Sequence, residues 1–282
     1  MKRKYALLGG TLGHTMSPPI HLRLFELKGR DAEYGIVEST VEELCDKTEY
    51  LNSLRGYNIT IPHKINIIQY LDKLDDTAKK YNSVNCVDNK DGVLTGYNTD
   101  VDGFLRSLSA NGAKLDGKVL LLGAGGVGRM MAIETCCAGG ELTMAVLPDF
   151  IPQTEIVKQD ILNLCPEAKV NIVTFDAIDG EYDVMINATP VGMYPECDAC
   201  VVSDEVISRT KFIFDAIYNP RETLLMKKAE SMGIKAVGGM AMLVWQAVSA
   251  HEIWDGDYYT EQEVQTIIDE MELRVEADFP SN

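Results

Sequence analysis

The stretch KVLLLGAGGVGRMMA, residues 118–132, constrains this chain more than any other. An aliphatic run of strand length ends at Gly123, and Gly125 and Gly128 complete a GxGxxG spacing where a helical pattern begins. Each glycine has a physical task there: one permits a tight turn, one lets backbone amides approach a pyrophosphate, and one brings the helix close to the strand. The helix N-terminus aims its partial positive charge at the phosphates. A further strand pattern, LTMAVL, follows at 142–147, so a parallel βαβ unit that binds a dinucleotide is the expected product.

The rest of the chain extends this pattern. KYALLGG, EYGIVES, YNITI and VNCVDN in the first hundred residues, then KVLLLGA, LTMAVL, VNIVTF, DVMINAT and KFIFDAI, alternate with helical segments. Such alternation predicts parallel sheets wrapped by helices, with the first strand over Lys4 to Gly10. At 282 residues, 46% of them hydrophobic, the chain can build two domain cores. No linker or low-complexity tract separates them, so the boundary is expected within TDVDGFLRSLSANGAKLDGK, ahead of the strand at Val119. Two helical patterns follow near the C-terminus, AMLVWQAVSAHEIW and TEQEVQTIIDEMELRVEADF. The second carries Val264, Ile267, Ile268 and Met271 at helical spacing and is expected to pack one face on a core.

Charge and composition remove several classes of function. Forty-three acidic against 26 basic side chains give a net charge of -17, which repels nucleic acid and anionic membranes. The opening MKRKYALLGG has too short an apolar run for a signal peptide, and no stretch reaches bilayer length, so a cytoplasmic location is expected. Seven cysteines, an odd number, suit reduced thiols. Cys197 and Cys200 form a CxxC with no second pair, and His14, His21, His63 and His251 show no ligand spacing, so no metal is expected.

Three polar segments hold the candidate chemistry. In RGYNITIPHKINIIQYLD, Lys64 follows a proline stop at the start of a helix, whose partial positive charge would lower the lysine pKa and suit it to acid–base work. The same position also suits a solvated surface lysine. In SVNCVDNKDGVLTGYNTDVDGF, Asn85, Asn98, Thr99 and Asp100 could hydrogen-bond a polyol or make turns and caps, and Asp100 before VDGFLRSL reads first as an N-cap. In GHTMSPPIHLRLFELKG, Ser17 before Pro18 has the form of an N-cap followed by a first-turn proline. Thr15 and Ser17 could instead offer hydroxyls to a carboxylate; capping alone accounts for Ser17 but not for Thr15.

Taken together and in order, these stretches resemble the shikimate dehydrogenases, including their quinate/shikimate relatives. GHTMSP is similar to the family's HSxSP, GYNITIPHK to GxNVTxPxK, SVNC to AVNT, and GYNTDVDGF to GxNTDxxGF. GAGGVG is similar to the cofactor loop, NATPVGM to NATxxGM, DAIYNPRETLLMKKAESMG to DxxYNPxxTxLLxxAxxxG, and GGMAMLVWQA to DGLGMLVxQA. The resemblance implies an α/β protein: a three-layer αβα substrate domain over 1–102, a Rossmann domain over 103–238, and C-terminal helices over 239–282 that return to the first domain. It implies a small-molecule substrate, shikimate or quinate, in a cleft between domains, and is compatible with a homodimer. Lys64 and Asp100 become the catalytic pair; Thr15, Ser17, Thr60, Asn85, Tyr218 and Gln246 become substrate contacts. Gly123, Ala124, Gly125, Gly126, Val127, Gly128, Thr189, Ala216, Gly239 and Met242 become cofactor contacts.

The departures from the family pattern bear on specificity. Thr15 stands for the first of two serines, Cys86 for a threonine, Gly238 for an aspartate and Ala241 for a glycine. Where NADP-using members carry an Asn-Arg-Thr run that holds the 2′-phosphate, this chain has Val146, Leu147 and Pro148, with Asp149 next. A carboxylate there repels a phosphate and can accept from a ribose 2′-hydroxyl, so between NAD and NADP the expectation favours NAD. Asp149 could equally belong to a Pro-Asp turn. The alternatives are an NAD-dependent quinate/shikimate dehydrogenase of quinate breakdown and a non-catalytic metabolite sensor. A folate-type methylene dehydrogenase lacks support, because its tyrosine-to-lysine helical motif is not evident.

Overall fold

The computed structural model describes residues 2–13 and 15–279, so His14 of the GHTMSP motif lies outside the described residues. The chain divides into two compact units, Met1–Gly103 with Leu243–Met271, and Phe104–Met242 with Glu272–Asn282.

The first unit contains β1 (Arg3–Gly9), α1 (Ser17–Leu27), β2 (Ala32–Glu38), α2 (Leu44–Asn52), β3 (Gly56–Ile59), α3 (His63–Asn66), β4 (Lys73–Leu74), α4 (Asp76–Tyr81), β5 (Cys86–Lys90), β6 (Val93–Tyr97) and the start of α5 (Asp100–Ala110). Its six strands run in the order β2-β1-β3-β5-β6-β4. Strand β1 sorts its side chains by parity. Ala6 and Leu8 pack with Leu44 and Leu51 of α2 and Ala78 of α4, whereas Tyr5 and Leu7 pack with Phe25 of α1 and with Ala250 and Trp254. Side chains that alternate across a strand thus feed two cores, one on each face, giving an αβα layering.

The expected parallel pairing holds for β1 with β2 and β3 but not throughout this sheet. Strand β5 is antiparallel to both β3 and β6. Lys90 pairs with Val93, which leaves a two-residue turn, and its members Asp91 and Gly92 have φ of 55° and 85°. Both values are positive, as the tight hairpin turn that follows strand twist requires, and Asp-Gly is a favoured pair for it. The signal is present in NKDGVLTGY, and β6 lies inside the polar segment around it; the short β4 and β12 (Lys235–Val237) are strands beyond those the sequence pattern predicts.

The second unit contains β7 (Lys118–Leu122), α6 (Gly126–Cys137), β8 (Glu141–Val146), α7 (Ile151–Leu164), β9 (Lys169–Thr174), β10 (Val184–Asn187), α8 (Asp204–Ser208), β11 (Phe212–Asp215), α9 (Leu224–Ser231) and β12. Its strands are all parallel in the order β12-β11-β10-β7-β8-β9. This is the doubly wound Rossmann order, whose direction reverses between β7 and β10. Leu120, Leu122, Met185 and Ile213 form part of its core.

The C-terminal block expected over 239–282 is divided. Helices α10 (Met240–Asp255) and α11 (Glu261–Asp278) both cross the unit assignment: Leu243–Met271 belongs to the first unit and Glu272 onward to the second. Val264, Ile267, Ile268 and Met271 are buried in the first unit, whereas Arg221 of the second pairs with Glu272 and Glu276. No helix among the described residues is long and apolar enough to cross a membrane.

Candidate active site

In the first unit, topology gathers one edge of the sheet. Strand β1 runs parallel to β3, so both end at that edge; β5 runs the opposite way and begins there; β6 reverses again and ends there. Residues 10–13 and 15–17, Thr60, Asn85 and Asp100 therefore share an edge, although they are far apart in sequence. Lys64 follows on α3, and its carbonyl accepts the amide of Val84, tying the lysine segment to the start of β5.

The side chains at this edge form one hydrogen-bonded group. Lys64 Nζ donates to Asp100 Oδ2 at 2.7 Å. Asn85 Nδ2 lies 2.8 Å from Asp100 Oδ1, 3.0 Å from Thr99 Oγ1 and 3.4 Å from Gln246 Oε1. Asn85 Oδ1 accepts from the amide of Thr99 at 2.7 Å, while Gln246 Nε2 donates to the Leu243 carbonyl. Asn85, Thr99 and Gln246 are buried, whereas Lys64 and Asp100 keep 27% and 16% of their side-chain surface exposed. The buried amide of Asn85 holds the carboxylate, and the carboxylate holds a lysine that keeps part of its surface exposed.

Two expectations for this group need correction. Asp100 does not cap α5: it is the first residue of that helix, its amide donates to Asn98 Oδ1, and its carboxylate goes to Lys64 and Asn85. Nor does a helix dipole dominate at Lys64, because α3 is a single turn of four residues and the nearest full charge is Asp100.

The start of α1 also departs from expectation. The N-cap is Met16, which has no capping side chain, and Ser17 lies inside the helix. Thr15 Oγ1 instead accepts the amide of Ser17 at 3.3 Å. Pro18 and Pro19 carry no N–H, so this helix start has fewer orphan amides than usual, and hydroxyls are the donors left for an anion. Thr60 follows β3, half-buried, with its amide donated to Leu8.

Sequence reasoning missed the support behind Asn85. Asn58, 3% exposed, donates to the Asn85 carbonyl at 3.3 Å and accepts from Tyr34 Oη at 2.8 Å. An asparagine inside the apolar run YNITI was the signal.

In the second unit, the glycines after β7 differ in their duties. Gly123 has φ of 86°, a conformation only glycine adopts without strain. A Cβ on Gly128 would collide with the Gly123 carbonyl oxygen, so this glycine serves strand–helix contact. A Cβ on Gly125 or Gly126 would meet nothing within 4 Å. No side chain caps α6, whose N-cap is Gly125. Packing therefore demands Gly123 and Gly128, while Gly125 and Gly126, with Ala124 and Val127 around them, leave the helix start bare, as a bound pyrophosphate requires.

Across the switch point, Thr189 follows β10. Its amide and hydroxyl both donate to Asn187 Oδ1, and its methyl lies 2.9 Å from where a Gly123 Cβ would stand. Asn187 Nδ2 donates to Asp215 Oδ1, and Asp215 also accepts from Thr223 Oγ1 and the amide of Ile217. Asp215 is fully buried, and burial pushes its carboxyl up to about 6 against the opposing pull of these hydrogen bonds. Neither Asn187 nor Asp215 was among the expected site residues; a buried aspartate in KFIFDAI was the signal. Gly239 packs so closely on Ala216 that a Cβ would strike the Ala216 carbonyl, whereas Gly238 has room for a side chain. Met242 is buried, and Tyr218 is half-buried with its phenol pushed up by desolvation. Asp149 lies exposed in a 3-10 turn, Pro148–Phe150, between β8 and α7.

This architecture has relatives. A family model described as the shikimate dehydrogenase substrate binding domain matches residues 7–87. A shikimate dehydrogenase (NADP(+)) from Caldanaerobacter subterraneus subsp. tengcongensis is 35% identical over 262 residues, covering 90% of this chain and 92% of the relative. The chain belongs to the shikimate dehydrogenase family. A chorismate mutase/shikimate 5-dehydrogenase fusion protein from Clostridium acetobutylicum aligns with TM-score 0.87 at 30% identity, over 98% of this chain and 99% of that one. The shikimate 5-dehydrogenase from Listeria monocytogenes, in complex with shikimate and NAD, aligns with TM-score 0.86 at 30% identity over 96% of each chain. Against the family pattern, Cys86 faces the core shared by α1 and α10, where burial pushes its thiol well above the usual range.

Proposed function

We propose that the protein is an NAD(P)-dependent oxidoreductase that interconverts shikimate and 3-dehydroshikimate by reversible hydride transfer, with Lys64 and Asp100 as the acid–base pair. The 2.7 Å contact between Lys64 Nζ and Asp100 Oδ2, backed by buried Asn85, carries this reading. Hydride at C3 of the substrate would be supplied or accepted by a bound nicotinamide. In reduction, Lys64 gives a proton to the C3 oxygen as negative charge develops there; in oxidation it takes the proton back. Asp100 stabilises the ammonium and restricts its position. Asn85, Thr60, Tyr218 and Gln246 supply donors and acceptors for ring hydroxyls, and the Thr15 and Ser17 hydroxyls receive the carboxylate.

Glycines 125 and 126 and the uncapped start of α6 fit the pyrophosphate, with Thr189, Ala216, Gly239 and Met242 lining the nicotinamide side. The turn after β8 supports NAD over NADP, since Val146 to Phe150 holds no cation and Asp149 opposes a 2′-phosphate. That turn, with the extra methyl of Thr15, favours one second reading, an NAD-dependent quinate/shikimate dehydrogenase. Either reading is compatible with a homodimer, and the intact Lys64–Asp100 pair argues against a non-catalytic sensor.

Steady-state rates for shikimate and quinate against NAD+ and NADP+ test the reading. Shikimate turnover should be measurable, with higher kcat/KM for NAD+, and Lys64→Ala should lower kcat by about 10²–10⁴ without loss of fold. Unchanged turnover in that variant overturns the role of Lys64, and a preference for NADP+ overturns the reading of Asp149.

A further inference from the structure

Two thiols outside the proposed site meet at the C-terminal ends of α6, which follows the dinucleotide loop, and α7, which follows the Asp149 turn. Cys137 is the last residue of α6, and Cys165 immediately follows α7. Their sulfur atoms stand 3.3 Å apart, closer than ordinary van der Waals contact, although the residues are 28 positions apart in sequence. Cys137 is exposed, and Cys165 is half-buried beside a surface depression of about 280 Å³ that Pro166, Glu167 and Lys169 also line. A reagent therefore reaches both sulfurs. The neighbouring Cys136 is buried and its thiol is pushed up to about 12, first by burial and then by the other two sulfurs, which keeps it out of the chemistry. The CxxC of Cys197 and Cys200, the pair that spacing alone singles out, has no comparable sulfur contact among the described residues.

We propose that Cys137 and Cys165 form a reversible disulfide, a modification site whose reaction partner is a small-molecule disulfide. One protein thiolate attacks a sulfur of the small molecule, forming a mixed disulfide and releasing one small thiolate. The second protein thiolate attacks the protein sulfur of that mixed disulfide and releases the other. Two electrons pass from the protein sulfurs to the reagent, and the two protons end on the released thiols. The cross-link closes a loop containing β8, the Asp149 turn and α7. It adds to the ion pair between Arg129 of α6 and Asp160 of α7, at 3.0 Å, so the ribose-side segment is held to the pyrophosphate helix at two points. Closing such a loop restricts the unfolded chain more than the folded one.

The test uses the full chain, reduced, desalted and incubated with excess oxidised over reduced glutathione, followed by alkylation and peptide mapping. The expected product has lost two hydrogens, carries a Cys137–Cys165 cross-link, and melts ~5–10 °C above the dithiothreitol-treated protein. Cys137→Ser and Cys165→Ser should each lose both the cross-link and the shift. The proposal is overturned if both sulfurs are recovered alkylated or glutathionylated, if the cross-link joins Cys197 to Cys200, or if the oxidised and reduced proteins melt together.

Discussion

A single methyl group separates Thr15 from the serine that this family carries at its position. Pro18 and Pro19 remove amides from the start of α1, so under the proposed function the hydroxyls of Thr15 and Ser17 would take more of the anion binding than a helix end normally leaves to side chains. Thr15→Ser should change the ratio of kcat/KM for shikimate and quinate by about tenfold, the scale of one methyl in a fitted pocket. Identical ratios in the two proteins would remove Thr15 from the specificity argument. Asp215 is the residue with a pH signature. Its folded value of about 6 lies above its ordinary 3.8, so the folded protein binds the proton more tightly than the unfolded chain. Stability linked to this group is complete below pH about 4 and is lost as pH rises through about 6, on the order of 3 kcal/mol in all. Urea denaturation across that range should show a wild-type decline that Asp215→Asn lacks; parallel curves would sink the assignment. Asn187 and Asp215 stand in the matched NATPVGM and DAIYNP stretches, but the sequence assigns them no role, because their worth lies in each other, across neighbouring strands.

At the scale of elements, the glycine turn separates packing from ligand approach. Gly128→Ala forces a methyl against the Gly123 carbonyl, and a cost of about 1–3 kcal/mol should exceed any gain in helix propensity. Gly125→Ala meets no protein atom within 4 Å and needs no change from its φ of −71°. Its melting temperature should match the wild type while KM for the dinucleotide rises at least about tenfold, as expected when a methyl blocks close backbone approach. Thermal melts and KM measured together separate the two. A Gly125→Ala protein with unchanged KM would show that the open space beside α6 is not used. Strands β7, β8 and β9 of the second unit are legible because each joins the next through a local strand–helix repeat, whereas the three-residue β12 is too short to give a pattern. The first sheet is less legible, since Asp91-Gly92 reverses the chain within two residues and a helical crossover is not needed there.

For the whole molecule, the dominant global property is a net charge of -17. Most ion pairs on its surface are exposed and contribute little, so unbalanced repulsion between acidic side chains outweighs them. Raising sodium chloride from about 10 mM to about 300 mM shortens the screening length several-fold and should raise the melting temperature by a few degrees. A fall in Tm over that range would mean that the ion pairs dominate instead.

The glycine turn, the strand–helix repeat of the second unit and the amphipathic stripe of α11 were determined by the sequence itself. Each rests on backbone freedom or side-chain period within a few residues. Tertiary structure alone decided the direction of β5, the partners of Asn58 and Asp215, and the meeting of Cys137 with Cys165. It also decided that Asp100 would hold a lysine rather than cap its own helix. Those contacts join positions 36 apart for Lys64 and Asp100 and 161 apart for Asn85 and Gln246, and no local pattern records a partner that only the folded chain brings within reach.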